Sequence, residues 1–224
     1  MKVLIYNEDT KKMESYERSL GSPMPYIKNR YLTLKEFKGS TKSKILWTTK
    51  KTMQAFNTTR QRWKKPIYVG YAFKRIFEGG HSNQSQHYAG VALDTAQNLS
   101  VKQRTELYNL AKKLKVWVYV EPLRLTPRWL HLDKRATPPA CSAGYPSLKL
   151  NDKGVYVLIL QDALNVLNYN TGGLDGIYGN KTNIAVKSFQ NKYSIKENGV
   201  RCKTWQKLTS LVVGKGKKGN VKYY

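Results

Sequence analysis

Thirteen residues from Lys134 to Pro146, KRATPPACSAGYP, constrain this chain more than any other stretch. Their three prolines and one glycine deny both a helical and a strand period, so the stretch reads as a linker. The 224 residues are thereby cut into a longer N-terminal part and a shorter C-terminal part. The expected division is a domain over 1–136, a linker over 137–147, a second domain over 148–212 and a basic tail over 213–224.

The two parts differ in texture. In the first, the regions Leu34–Phe37 and Ser43–Phe56 mix helical spacing with polar breaks. A clearer helix spans Ser100–Leu114, with Val101, Leu107, Leu110, Ala111 and Leu114 on one face and Ser100 as its cap. Val116–Val120 is β-branched and aromatic, Glu121–Arg128 turns on two prolines, and Trp129–Asp133 alternates, which predicts two short strands. Helices and strands without βαβ alternation predict an α+β domain. In the second part Val157, Leu160, Leu164 and Leu167 recur at helical spacing, as do Ile184, Ala185, Ser188 and Phe189. Trp205 and Leu208 mark a third helix, and glycine-rich turns at Thr171–Gly179 and Glu197–Gly199 separate the three. A small all-α three-helix module follows.

Charge gives the partner a sign. The chain carries 40 Lys and Arg against 14 Asp and Glu, a net +26, with +17 in residues 1–140 and +9 in 141–224. Spread charge suits attraction to a polyanionic matrix better than docking in a groove, so no specific nucleic-acid partner is expected. The 12% aromatic content excludes a disordered polycation. No run approaches the ~20 apolar residues that span a bilayer, which excludes membrane insertion by a helix. The opening MKVLIYNEDTKKMESYER breaks its apolar stretch at Asn7, Glu8 and Asp9 and does not read as an export leader. Synthesis in the cytoplasm is therefore expected. Cys141 and Cys202 have no metal-binding spacing, and without a leader two free thiols are expected, a disulfide mattering only in an oxidising exterior. Nothing in the pattern sets an oligomeric state.

Only three histidines are present, His81, His87 and His131. Ser85-Gln86-His87-Tyr88-Ala89-Gly90-Val91-Ala92-Leu93-Asp94 places an imidazole and a carboxylate seven residues apart, around a Gly and an Ala that allow close backbone approach. His131 sits among apolar residues on the expected strand Trp129–Asp133. Two imidazoles and one carboxylate are the ligand set of a catalytic zinc with a fourth position for water, although 37 residues of separation leave their proximity open. His81 reads as structural or substrate-facing.

Ser85–Asp94 resembles, position for position, the S-x-H-x-x-G-x-A-x-D signature of the zinc D-alanyl-D-alanine carboxypeptidase and L-alanyl-D-glutamate peptidase family. Trp129-Leu130-His131-Leu132-Asp133 is similar to that family's W/F-V-H-I-D segment, and the resemblance covers residues 30–135, its decisive part 70–135. It implies zinc held by His87, Asp94 and His131, and hydrolysis of an amide bond in the peptide of peptidoglycan. Many relatives carry an acidic residue three positions before the last His, where this chain has Arg128. The general base then falls to Asp133, which shares a strand face with His131 and is favoured, or to Glu121. Asp133 also reads as a group orienting a ligand. Relatives often have a G-Y-R segment upstream; in Gly70-Tyr71-Ala72-Phe73-Lys74-Arg75 the Arg is displaced by three, and Arg75 is either the oxyanion partner or a solvated surface charge.

Residues 148–209 resemble the peptidoglycan-binding module of wall hydrolases. The resemblance rests on Lys153-Gly154, Val157, Leu160-Gln161, Leu174-Asp175-Gly176-Ile177-Tyr178-Gly179, Thr182, Ala185-Val186 and Phe189-Gln190. Asn198-Gly199-Val200 with Thr204-Trp205 and Leu208 looks like a worn second copy. Tyr169, Tyr178 and Trp205 are either groove-lining or core, so no peptidoglycan-binding residues are assigned. The two resemblances imply a modular, zinc-dependent wall hydrolase whose partners are peptidoglycan and anionic wall polymers. L-Ala–D-Glu endopeptidase activity is favoured, because trimming a terminal D-Ala does not dissolve a wall. The alternatives are D-Ala–D-Ala carboxypeptidase activity and a non-catalytic wall-binding protein. The lack of a leader looks like a phage or prophage endolysin that reaches the wall after release, or else a bacterial enzyme freed from a mother cell.

Overall fold

A computed structural model describes residues 1–216; most of the basic tail expected over 213–224 lies outside the described residues. The N-terminal part holds two small sheets. Strand β1 (Lys2–Asn7) pairs antiparallel with β2 (Lys12–Glu17) and parallel with β3 (Ile45–Thr49), in the order β2-β1-β3. All five residues of β3, ILWTT, are buried, as a parallel strand covered on both faces requires. Before β3 comes a short helix, α1 (Leu34–Lys38), capped by Thr33 and Glu36. The helix α2 (Lys50–Trp63) follows β3 directly, and the Thr49 side chain caps it by accepting from the Thr52 amide.

The second sheet is antiparallel throughout: β4 (Val69–Tyr71), β5 (Ala92–Thr95), β7 (Leu130–Asp133) and β6 (Tyr119–Val120), in the order β4-β5-β7-β6. Of the run Val116–Val120 only its last two residues pair as a strand. Trp117 instead turns inward, its indole donating to the Thr59 hydroxyl. Between β5 and β6 runs α3 (Val101–Leu114), with the expected Ser100 cap completed by Gln103. Its buried face differs from the apolar pattern: Val101 is 75% exposed and Arg104 is buried in its place. The Arg104 guanidinium donates to the carbonyls of Ala96, Leu99 and Pro127, which satisfies its donors without a carboxylate.

The C-terminal part is the expected set of three helices, α4 (Val155–Val166), α5 (Asn180–Lys192) and α6 (Cys202–Val212). Eleven of the twelve residues of α4, VYVLILQDALNV, are buried. A helix buried all round must be covered on both sides. Here α5, α6, β3 and the 3-10 turn Ile76–Glu78 all pack against it. The buried apolar cluster therefore runs unbroken from β1 to α6.

The worn repeat is visible in hydrogen bonds. Gln161 donates to the Ile177 carbonyl and the Thr182 hydroxyl. Gln190 donates in the same way to the Gly199 carbonyl and the Thr204 hydroxyl. Tyr178 and Trp205 are fully buried, so both belong to the core rather than to a groove, while Tyr169 is half-buried against Phe189.

Two expectations are corrected at the junction. Cys141 and Cys202 are not free thiols but form a disulfide that ties the linker to the first residue of α6. Arg75 is neither a surface charge nor a cleft residue. It is 1% exposed, its Nε donates to Asp162 Oδ2 on α4 at 2.7 Å, and its Nη1 donates to Ser43 Oγ at 3.2 Å. A second guanidinium nitrogen, Nη2, meets Asp162 Oδ1. Burial of that charge is tolerable because a carboxylate 87 residues away completes its hydrogen bonds.

Candidate metal centre

The register of the second sheet resolves the open question of proximity. Asp94 on β5 and His131 on β7 are direct antiparallel partners, as are Leu93 and Leu132. Opposed side chains on adjacent strands lie ~5 Å apart at Cβ, so 37 residues of sequence collapse into one cross-strand pair. His87 reaches the same face from the turn before β5. That turn closes through Tyr88 N to Ser85 O and Gly90 N to His87 O. Gly90 has φ +67°, and a Cβ there would lie 1.9 Å from the Trp47 carbonyl oxygen, so no other residue fits.

His87, Asp94 and His131 converge. His87 Nε2 lies 3.3 Å from Asp94 Oδ2, and His131 Nδ1 lies 2.7 Å from Asp94 Oδ1. Each imidazole is held from behind. His87 Nδ1 is 3.0 Å from the Ala72 carbonyl, which can only accept, so Nδ1 carries the proton and Nε2 presents a lone pair. His131 Nε2 lies 3.2 Å from Asp133 Oδ2. Asp133 is fully buried, and it accepts from the Arg135 amide at 3.0 Å and from Arg135 Nε at 2.8 Å.

Charge states follow from these contacts. Burial alone would raise the Asp133 carboxyl, but Arg135 and then His131 hold it below the ordinary carboxylate range. The resulting anion keeps the proton on His131 Nε2 and turns Nδ1 toward Asp94. Burial would likewise depress His131, yet hydrogen bonds to Asp133 and Asp94 push it up to about 9. Asp94, despite burial, is held low above all by its hydrogen bond with His131. An imidazole lone pair, a carboxylate and a second imidazole nitrogen that must share a proton with it form a site asking for a cation. Two imidazole nitrogens, oriented by the Ala72 carbonyl and by Asp133, and a carboxylate oxygen would suit zinc with an open position.

The remaining groups fall on different sides of this centre. Glu121 lines the adjoining cleft, of about 330 Å³, together with Trp129, Arg135 and Gln86. Its backbone amide is fixed on the His131 carbonyl at 3.0 Å. Asp133 shares a face with His131, but its oxygens are engaged by Arg135 and His131 and it stands behind the ligand rather than in the cleft. Arg128 is exposed and Arg75 is remote.

His81, read from the sequence as structural or substrate-facing, lines the cleft and stands beside the candidate ligands His87 and Asp94. Its ring lies 4.4 Å from the His87 ring and 4.3 Å from Tyr71, and its ligand atom is within 4.8 Å of those of His87 and Asp94. Burial and then the neighbouring His87 lower its pKa to about 4, so it stands neutral in the cleft. The Gly79–Gln86 loop that carries it has no period from which such a position could be read.

The C-terminal module matches the family model of a peptidoglycan-binding domain over residues 153–200. The match supports binding to peptidoglycan and associates the chain with the cell wall. Comparison with curated proteins and with solved structures returns no match. No helix of the described residues is long and apolar enough to cross a membrane.

Proposed function

We propose that the chain is a zinc-dependent peptidoglycan peptidase that cleaves an amide bond of the wall stem peptide. The observation that carries the reading is the convergence of His87, Asp94 and His131 beside a cleft in a chain with a wall-binding module. Zinc held by these three would polarise the scissile carbonyl and lower the pKa of a water toward about 7.

The protein's own groups divide the remaining work. Ala72 O and Asp133 lock the two imidazoles in the tautomers that face inward. Glu121, which lines the cleft beside the candidate ligand Asp94, accepts the proton of the attacking water and returns it to the leaving amine. Arg135, pinned by Asp133 and stacked 4.0 Å over Tyr119, presents a fixed cation to the stem peptide's carboxylates. Trp129 supplies the apolar wall. The module raises the concentration of the cleft at an insoluble substrate, and the net charge of +26 draws the protein to anionic wall polymers.

Endopeptidase cleavage at L-Ala–D-Glu is favoured over D-Ala–D-Ala carboxypeptidase activity. Mass spectrometry of fragments from purified peptidoglycan tests it: new N-terminal D-Glu is expected, and free D-Ala alone would overturn it. Two observations favour a second reading, a non-catalytic wall-binding protein. The position of the relatives' acid is Arg128, and Arg75 is committed to Asp162 rather than to an oxyanion.

A further inference from the structure

The segment Cys141–Tyr145 does not run free between the two parts. Tyr145 is fully buried; its amide donates to Gln84 Oε1 at 3.0 Å and its hydroxyl to the Ser85 carbonyl at 3.0 Å. Gln86 donates to the Gly144 carbonyl at 3.1 Å. The segment is thus docked on the three residues that lead into His87. Gly144 has φ +105°, and a Cβ there would come within 2.3 Å of Gln84 Oε1, so the approach depends on glycine. Ala143 and Gly144 form part of the lining of the metal-site cleft. At its other end the segment is bonded through Cys141 to Cys202 on α6.

We propose that Cys141–Tyr145 is a working wall of the substrate cleft, and that its disulfide to α6 makes the cleft's grip on a stem peptide depend on thiol redox state. This rests on the peptidase reading of the cleft. The disulfide is the covalent anchor of residues 141–143, whose two flanks are joined by the Ala140 amide donating to the Tyr145 carbonyl at 2.7 Å. The module itself stays seated without it, through Arg75–Asp162 and through the Trp205 indole on the Pro146 carbonyl. Reduction breaks the Cys141 Sγ–Cys202 Sγ bond and adds two electrons and two protons to give two thiols. Two molecules of a small thiol leave as their disulfide, or one phosphine becomes its oxide with oxygen from water. The cleft then meets its ligand with a wall loosened at residues 141–143, and the cost of ordering them falls on binding.

The test is calorimetric titration of a soluble disaccharide-tetrapeptide peptidoglycan fragment into the zinc-loaded full chain, in a Glu121→Gln background that suppresses turnover. Oxidised protein is compared with phosphine-reduced protein, with the Cys141→Ser/Cys202→Ser pair, and with Ala143→Trp, which crowds the wall without touching the module. Affinity is expected to fall about tenfold on reduction, in the serine pair and in Ala143→Trp. Zinc content and retention on insoluble wall are expected to stay unchanged. An affinity within about twofold of the oxidised protein for either the serine pair or Ala143→Trp would overturn the proposal. So would failure of the oxidised chain to bind the fragment. The readout is binding, so a chain that grips the fragment but cuts no wall defeats the peptidase reading alone.

Discussion

Asp94 and His131 face each other as register partners across β5 and β7, with the imidazole Nδ1 2.7 Å from the carboxylate Oδ1. His131 owes that orientation to Asp133 two residues on, which holds the opposite ring nitrogen. Replacing Asp133 by Asn is therefore expected to lower zinc affinity by about 10–100-fold. Competition with a fluorescent chelator measures it. Unchanged affinity would remove Asp133 from its positioning role.

Glu121 should behave in the opposite way. Glu121→Gln is expected to keep a full equivalent of zinc and to lose about 10²–10⁴ in turnover on a stem peptide. Metal analysis and a cleavage assay on the same preparation separate the two carboxylates. An active Glu121→Gln enzyme would return the base to Asp133.

The buried pair Arg75–Asp162 makes a prediction about stability rather than chemistry. Asp162→Ala strands a buried guanidinium and is expected to cost about 3–5 kcal/mol in urea unfolding. Replacing both by Arg75→Met and Asp162→Leu should recover most of it, because an apolar pair needs no compensating charge. A loss confined to kcat in Arg75→Met would instead put Arg75 back in the site.

At the start of α6, Glu197 accepts from the amides of Arg201, Lys203 and Thr204 and from the Thr204 hydroxyl. Burial opposes ionisation, but these bonds, led by Thr204, hold its pKa below the ordinary 4.5. A lowered carboxyl pKa stabilises the fold above 4.5, and the contribution is lost as pH falls through the folded value. Glu197→Gln is expected to cost roughly 0.3–1 kcal/mol at pH 7 and nothing well below pH 4. Thermal unfolding at both pH values checks the sign.

How much of this was legible in the sequence depended on the range of each interaction. Helix α3 with its Ser100 cap, β7 and the three C-terminal helices arise from periodicities within about fifteen residues, and the sequence pattern predicts them. The hairpin β1–β2 and the parallel β3 do not show in it. The strand KMESYE has no apolar alternation, its Met13 and Tyr16 falling on opposite faces, and parallel pairing leaves no turn signal between the strands. Arg75 looked like a surface charge because its partner is 87 residues away on another helix. The disulfide was hidden for a similar reason, with 61 residues between the cysteines and an expectation of reduced thiols. The candidate ligands His87, Asp94 and His131 were named from a motif, while the Asp94–His131 register that brings two of them together exists only in the folded sheet.

Retention on the wall should be electrostatic. Screening lengths shrink from ~10 Å at 0.1 M salt to ~3 Å at 1 M. Binding to insoluble peptidoglycan with its anionic polymers is thus expected to fall steeply over that range, while cleavage of a small soluble stem peptide holds nearly constant. Equal salt sensitivity of both would detach the charge of +26 from wall binding.

The most direct test is the release of soluble peptide fragments from purified peptidoglycan by the full chain, before and after metal removal. With one equivalent of zinc the protein should release fragments carrying new amino termini. A strong chelator should abolish release, added zinc should restore it, and His87→Ala should stay inactive in either condition. Release that persists after chelation, or survives His87→Ala, would contradict the metal-dependent peptidase account.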